Sequence, residues 1–219
     1  MQETQSKPLQ KRALLTREKI LDGLEALLSD QEFEAISIAQ IARKAGVAVG
    51  SVYSHYKDKD ALLPALLDRQ LQRVEARLAE LKATGTLDGL DLSGSGRPDL
   101  KTLIRFSVEN ALKQIDSSLG VRRALFTYRR LNPGLEIPLA KTLADQAFES
   151  LVAQLDDYRG EIQRDDLRNA AKMINYFVNI LFLDRIVFVN SPFQNALRPD
   201  DETLIQTYTD MVYHYLTGA

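Results

Sequence analysis

Apolar residues recur at spacings of three and four along nearly the whole chain, and no long segment alternates apolar with polar residues as a half-buried strand would. The pattern predicts an all-α protein. Ile20, Leu21, Leu24, Leu27 and Leu28 mark one face of a helix running from an N-cap at Thr16 to about Ser29, and Phe33 is placed to close over that face. Ser37 and Gln40 have the spacing of a capping box, which opens a second helix with Ile38, Ile41, Ala42 and Ala45 facing inward. Gly46 suits the turn that ends it. A short third helix follows from about Ala48 to Ser54, with Val52 inward. A fourth opens at Asp58 and runs to about Lys82, with a bend expected at Pro64, which has no amide hydrogen for the carbonyl of Asp60. Residues 83–98, ATGTLDGLDLSGSGRP, hold four of the eleven glycines and read as a flexible loop. Further helices are expected over 99–116, 119–131, 137–158, 165–190 and 200–217.

The composition narrows this picture. At 45% hydrophobic and 26% charged, the 219 residues can build a small domain and a medium one. The net charge of −2 conceals a sorted distribution: Lys7, Lys11, Arg12, Arg17 and Lys19, then an acidic group of Asp30, Glu32 and Glu34, then Arg43, Lys44, Lys57 and Lys59. The chain has no cysteine, which excludes disulfides, thiolate metal sites and cysteine nucleophiles. Two histidines, His55 and His214, stand without a zinc-binding pair, a phosphate loop or a nucleophile elbow. Neither an enzyme nor a metal or cofactor is expected. The most apolar stretch, Met173 to Val189, is interrupted by Asn175, Asn179, Asp184 and Arg185, which suits a buried or dimer-forming helix and not a membrane span. The opening MQETQSKPLQKR lacks the apolar centre of a secretory signal, so a cytoplasmic protein is expected.

Residues 37 to 63 carry the chemistry. A helix-turn-helix needs small residues where its helices touch and a glycine at the turn, which Ala42, Ala45 and Gly46 supply. The N-terminal residues of its second helix face the major groove, and here they are Ala48, Val49, Gly50 and Ser51. Ser37, Ile41, Ala42, Ala45, Gly46, Val47, Gly50, Ser51, Val52, Tyr53, Tyr56, Lys59 and Leu62 together resemble the DNA-binding domain of the tetracycline-repressor (TetR) family over about residues 14 to 63. The resemblance implies that Ser37, Ser51 and Lys59 meet phosphates, Lys59 with the positive N-terminus of the fourth helix, and that Tyr53 and His55 lie along the backbone or groove wall. Members of that family often carry Ser or Thr where this chain has Ala48, a polar residue or proline at Val49, and arginine at Ala39. Ala48, Val49 and Gly50 therefore offer methyl groups and backbone to the bases, and polar reading falls to Arg43, Lys44 or Tyr53.

The expected organisation is a flexible basic arm over 1–13, the helix-turn-helix domain over 14–63, and a larger helical domain over 64–219. The resemblance implies ligand sensing and homodimerisation through the last two helices, so that a two-fold protein reads a palindromic operator in double-stranded DNA and a small-molecule effector releases it. Met173, Ile174, Phe177, Val178, Leu181, Phe182, Ile186 and Val189 cover more than one stripe of a helix, as burial on two sides requires. Phe106, Asn110, Phe126, Tyr128, Phe148, Tyr176 and Phe177 are the candidates for lining the effector cavity. The alternative is a helical adaptor that binds another protein and whose DNA-binding motif has degenerated.

Overall fold

The computed structural model describes residues 6–92, 96–187 and 199–218. The described chain is helical apart from one short hairpin: α1 Ser6–Leu28, a 3-10 turn at Phe33–Ala35, α2 Ile38–Ala45, α3 Val49–His55, α4 Leu62–Thr84, β1 Thr86–Leu87, β2 Leu90–Asp91, α5 Leu100–Asp116, α6 Leu119–Leu131, α7 Pro138–Asp156, α8 Leu167–Val187 and α9 Asp201–Thr217. Two compact units form. The first holds the described residues up to Gln70 together with Ser118–Leu135, and the second holds those of Leu71–Ser117 and Glu136–Ala219. No described helix is long and apolar enough to cross a membrane.

In the first unit the apolar face of α1 (Ile20, Leu24 and Leu28) packs with Phe33, Ile36, Ile41, Val52, Leu62 and Leu66 in one core. Each fully buried side chain of this size contributes about 1.5–3 kcal/mol through removal from water. Helix α6 belongs to this core through Val121, Ala124 and Leu125. Its close approach to α1 depends on Gly120, where an added Cβ would stand 1.7 Å from the Leu28 carbonyl oxygen. Arg123 lies 3.6 Å from Glu32, and Arg69 of α4 draws on Glu18, Asp22 and Glu25 of α1. The compact unit thus recruits a helix from far downstream of the expected 14–63 segment.

Two helix starts and one loop differ from the sequence expectation. Helix α1 starts at Ser6, so Thr16 is no cap; its hydroxyl donates to the carbonyl of Arg12 at 2.9 Å. Lysine, glutamine, arginine, alanine and leucine before Thr16 are all good helix formers, and they carry the helix back through the described part of the expected arm. Residues 1–5 of that arm lie outside the described residues. Helix α4 starts at Leu62 and not at Asp58, whose carboxylate accepts from the Ala61 amide at 2.9 Å in the preceding turn. Pro64 then falls in the first turn of α4, where its missing amide hydrogen has no partner to lose. The loop 83–98 contains a hairpin, with Asp88 (φ 47°) and Gly89 (φ 88°) at its tip and Thr86 opposite Asp91. The Asp88 carboxylate accepts from Arg77, Asn110 and Gln114, which holds this turn to α4 and α5.

In the second unit α5 packs against α8 and α9, and α7 against α8. Helices α5 and α9 open alike: Asp99 accepts from the Thr102 amide and Asp200 from the Thr203 amide, each at 2.8 Å. The core takes Leu100, Leu103, Ile104, Leu112, Leu155, Ala171, Val212 and Leu216. Arg185 of α8 is buried and donates to Asp116 at the end of α5 and Asp201 at the start of α9. This residue interrupts the apolar stretch of α8, and its charge is matched by the two helix ends it joins. Val189, expected on the same helix, lies outside the described residues.

Candidate nucleic-acid interface and effector cavity

Both halves of the capping box at the start of α2 are made. The Ser37 hydroxyl accepts from the Gln40 amide at 3.3 Å, and the Gln40 side chain accepts from the Ser37 amide at 2.8 Å. The Ser37 hydroxyl also donates to Gln40 Oε1 at 2.8 Å, so the exposed Ser37 side chain is engaged locally. At the other end of α2, Gly46 takes the left-handed conformation (φ 66°) and its amide donates to the carbonyls of Ala42 and Arg43. This conformation turns the chain sharply into α3, whose N-cap is Ala48. Val52 anchors α3 from below and is fully buried.

With Val52 inward, α3 turns its other face to solvent. Ala48, Val49 and Gly50 are exposed at its start, Tyr53 is 55% exposed one turn later, and Ser51 and His55 are half-buried. Arg43 and Lys44 are exposed on the last turn of α2. Lys57, absent from the expected DNA contacts, has a 91% exposed side chain. Its signal was simply a cation in the turn that follows the recognition helix. Together these residues form an apolar helix face flanked by cations, suited to approach base edges while arginine and lysine meet phosphates. Tyr56 is buried under the Arg17 guanidinium, which stands 5.8 Å from its ring.

Lys59 has a different setting from the one expected. Its ammonium donates to the carbonyls of Phe33, Glu34 and Ile36 at 3.0, 3.0 and 3.1 Å and lies 4.7 Å from the centre of the Phe33 ring. Three ammonium hydrogens meet three carbonyls, so a phosphate contact requires giving up bonds that fold the connection between α1 and α2. The residue works on the protein before any DNA arrives.

The second unit encloses a cavity of about 200 Å³ between α5, α7, α8 and α9. Its wall is apolar, with Leu103, Ile104, Val108, Leu151, Ile174, Val178, Phe182 and Val212 prominent, and Ser107, Gln154, Asn175 and Tyr208 supply the polar atoms. None of the seven residues expected to line an effector cavity is part of this wall. Phe106 and Asn110 lie on other faces of α5, and Asn110 donates to Asp88. Phe126 is exposed and Tyr128 packs against the core of the first unit. Phe148 lies under the Arg168 guanidinium at 5.2 Å, and Tyr176 and Phe177 are on the solvent side of α8. The missed lining was signalled by helical phase and not by residue type: Leu100, Leu103, Ile104, Ser107, Val108, Ala111 and Leu112 share one face of α5. The Tyr208 hydroxyl donates to the Ile174 carbonyl at 3.2 Å, and burial pushes its pKa up, so it stays protonated.

Helix α8 is apolar on two sides. Ile174, Val178, Leu181 and Phe182 face the cavity, while Met173, Tyr176, Phe177, Ile180, Leu183 and Val187 form an exposed stripe at three- and four-residue spacing.

This arrangement defines a helix-turn-helix protein with a helical domain around a cavity. Residues 20–66 match the family model of the bacterial regulatory proteins of the tetR family. Over 61 residues the chain is 38% identical to the transcriptional repressor KstR of Rhodococcus jostii, a match covering 28% of this chain and 29% of that protein. Over 66 residues it is 35% identical to the A-factor receptor protein of Streptomyces griseus, covering 30% of this chain and 24% of that one. The matched segment thus spans less than a third of either relative. The fold is similar over nearly the full length to a protein of Mesorhizobium loti assigned to the TetR-family transcriptional regulators, at 17% identity and a TM-score of 0.64, covering 93% of this chain and 96% of that one. FadR from Bacillus subtilis, solved in complex with stearoyl-CoA, is similar at 16% identity and a TM-score of 0.55, covering 90% and 97%. The chain thus carries, over residues 20–66, a helix-turn-helix of the tetR-family type. Its likeness in sequence is concentrated in the helix-turn-helix, and its likeness in fold extends through the helical domain.

Proposed function

We propose that this protein is a transcriptional repressor that binds a palindromic operator as a homodimer and leaves it when a small molecule enters the helical domain. The observation that carries the reading is the solvent face of α3, with Val49, Gly50 and Tyr53 exposed beside Arg43, Lys44 and Lys57. Arg43, Lys44 and Lys57 hold phosphates, Tyr53 lies along the groove wall, and Ala48 and Val49 offer methyl groups to thymine. Ser37, Ser51 and His55 border this face and add backbone contacts. The apolar stripe of α8, together with Met211 exposed on α9, supplies the two-fold interface. The name of KstR, a repressor, supports the direction of control, and the stearoyl-CoA complex of FadR supports small-molecule sensing by this fold.

The test is fluorescence anisotropy with the DNA upstream of the protein's own coding region. Specific binding is expected at physiological salt. Arg43→Ala with Lys44→Ala should weaken binding to all sequences alike and make the salt slope shallower by roughly 0.9 for each phosphate that is no longer neutralised. An adaptor with a degenerate motif shows neither effect, and absence of specific binding overturns the proposal.

A further inference from the structure

We infer that the cavity of the second unit selects a compact, uncharged molecule of roughly eight to ten non-hydrogen atoms, by analogy with the apolar cavity of roughly 150 Å³ that takes benzene, with one polar group directed to Asn175 and Gln154. This rests on the ligand-sensing reading above and adds to it the class of ligand.

Three features carry the inference. The first is size: about 200 Å³ leaves room for little more than a ring with a short substituent or a short chain. The second is the wall. Leu103, Ile104, Val108, Val178 and Phe182 give a ligand dispersion contacts and take its apolar surface out of water. An ionised carboxylate, phosphate or ammonium would surrender its hydration to such a wall, and the lining among the described residues places no opposite charge beside it. The third is where the polar atoms stand. Tyr208 is committed to the Ile174 carbonyl. Gln154 donates to Ser150 Oγ at a long 3.4 Å, a bond readily exchanged for a ligand. Asn175 accepts from Asn179 through its side-chain oxygen at 3.2 Å, which leaves its amide nitrogen as a donor. Asn175 is both exposed and part of the lining, so it marks the mouth. A hydroxyl or carbonyl is thereby held at the entrance while the apolar body fills the interior.

The experiment compares 1-octanol, octanoate and n-octylammonium, which share a chain and differ in charge, by calorimetry and thermal unfolding of the full chain. 1-Octanol should raise the melting temperature and bind at least tenfold more tightly than either ion. Ala111→Phe, which projects a ring from α5 into the cavity, should abolish that response. If this variant does not fold, Ser107→Phe on the same wall replaces it. No binding of 1-octanol, or equal binding of an ion, overturns the inference. If 1-octanol binds but leaves the operator complex intact, the ligand class stands and the release mechanism falls. If octanoate or octylammonium releases the DNA, sensing stands and the neutral class falls.

Discussion

The Lys59 ammonium lies 4.7 Å from the centre of the Phe33 ring and donates to the carbonyl of the same residue at 3.0 Å. One cation therefore orders the connection between α1 and α2 from the turn before α4. Charge-assisted hydrogen bonds of this kind contribute about 1.5–3 kcal/mol. Lys59→Met, which keeps the apolar stem, should lower stability by about 2 kcal/mol in urea unfolding. Unchanged stability with a shallower salt slope of DNA binding would instead mark Lys59 as a phosphate ligand alone.

Gly120→Ala tests whether α6 belongs to the first unit. Its methyl group would meet the Leu28 carbonyl oxygen at 1.7 Å and the carbonyl carbon at 2.5 Å, and backbone cannot swing aside as a flexible side chain does. A loss of about 3 kcal/mol or more is expected from the forced separation of α6 and α1. If urea unfolding shows no loss, the close approach of these helices is not maintained in solution.

Ile180→Glu places a charge in the middle of the exposed α8 stripe, where Ile180 is 45% exposed. The fold of the single chain should survive, because the side chain is not part of its core. On the proposed two-fold interface, sedimentation should show a monomer in place of a dimer, and operator affinity should fall because the two half-sites are no longer bound together. A variant that remains dimeric would move the interface elsewhere.

Acid should weaken the second unit through its two helix caps. Hydrogen bonds from the Thr102 backbone amide and Thr102 hydroxyl lower the pKa of Asp99, and the same groups of Thr203 lower that of Asp200. A carboxyl with a depressed folded-state pKa contributes stability above its unfolded value, and that stability is lost as pH falls through the folded value. Urea unfolding should therefore show a decline beginning below about pH 4, the ordinary range of aspartate. Asp99→Asn with Asp200→Asn keeps an oxygen acceptor at each cap, so stability at neutral pH should change little while the acid decline flattens.

The features most legible in the sequence were those set by neighbours along the chain. Ser37 with Gln40, the turn at Gly46 and the ends of α6 need only a few consecutive residues to be read. The Asp88–Gly89 hairpin has a local signal too, since Asp-Gly stands between Leu87 and Leu90, but its glycine-rich surroundings equally suit a loop. Lys59 was not legible, because its partners lie on a segment separated from it by two helices. The same holds for α6, whose place beside α1 depends on a single glycine. In the cavity, helical phase governs the lining and aromatic character does not, so Ser107 is part of the wall and Phe106, one residue away, is not.

The membership of α6 in the first unit bears on how such proteins are inherited. A gene fragment that ends after Gln70 encodes the whole of the proposed recognition surface, yet leaves Leu28 and Phe33 without Val121, Ala124 and Leu125, which share their core. An exchange of DNA specificity between relatives by recombination must therefore transfer two stretches of gene, or else preserve across the join the small residue at position 120 and the apolar face of α6. Recognition helices can diversify by point substitution on the solvent side of α3, whereas the head as a piece is bound to its own downstream sequence.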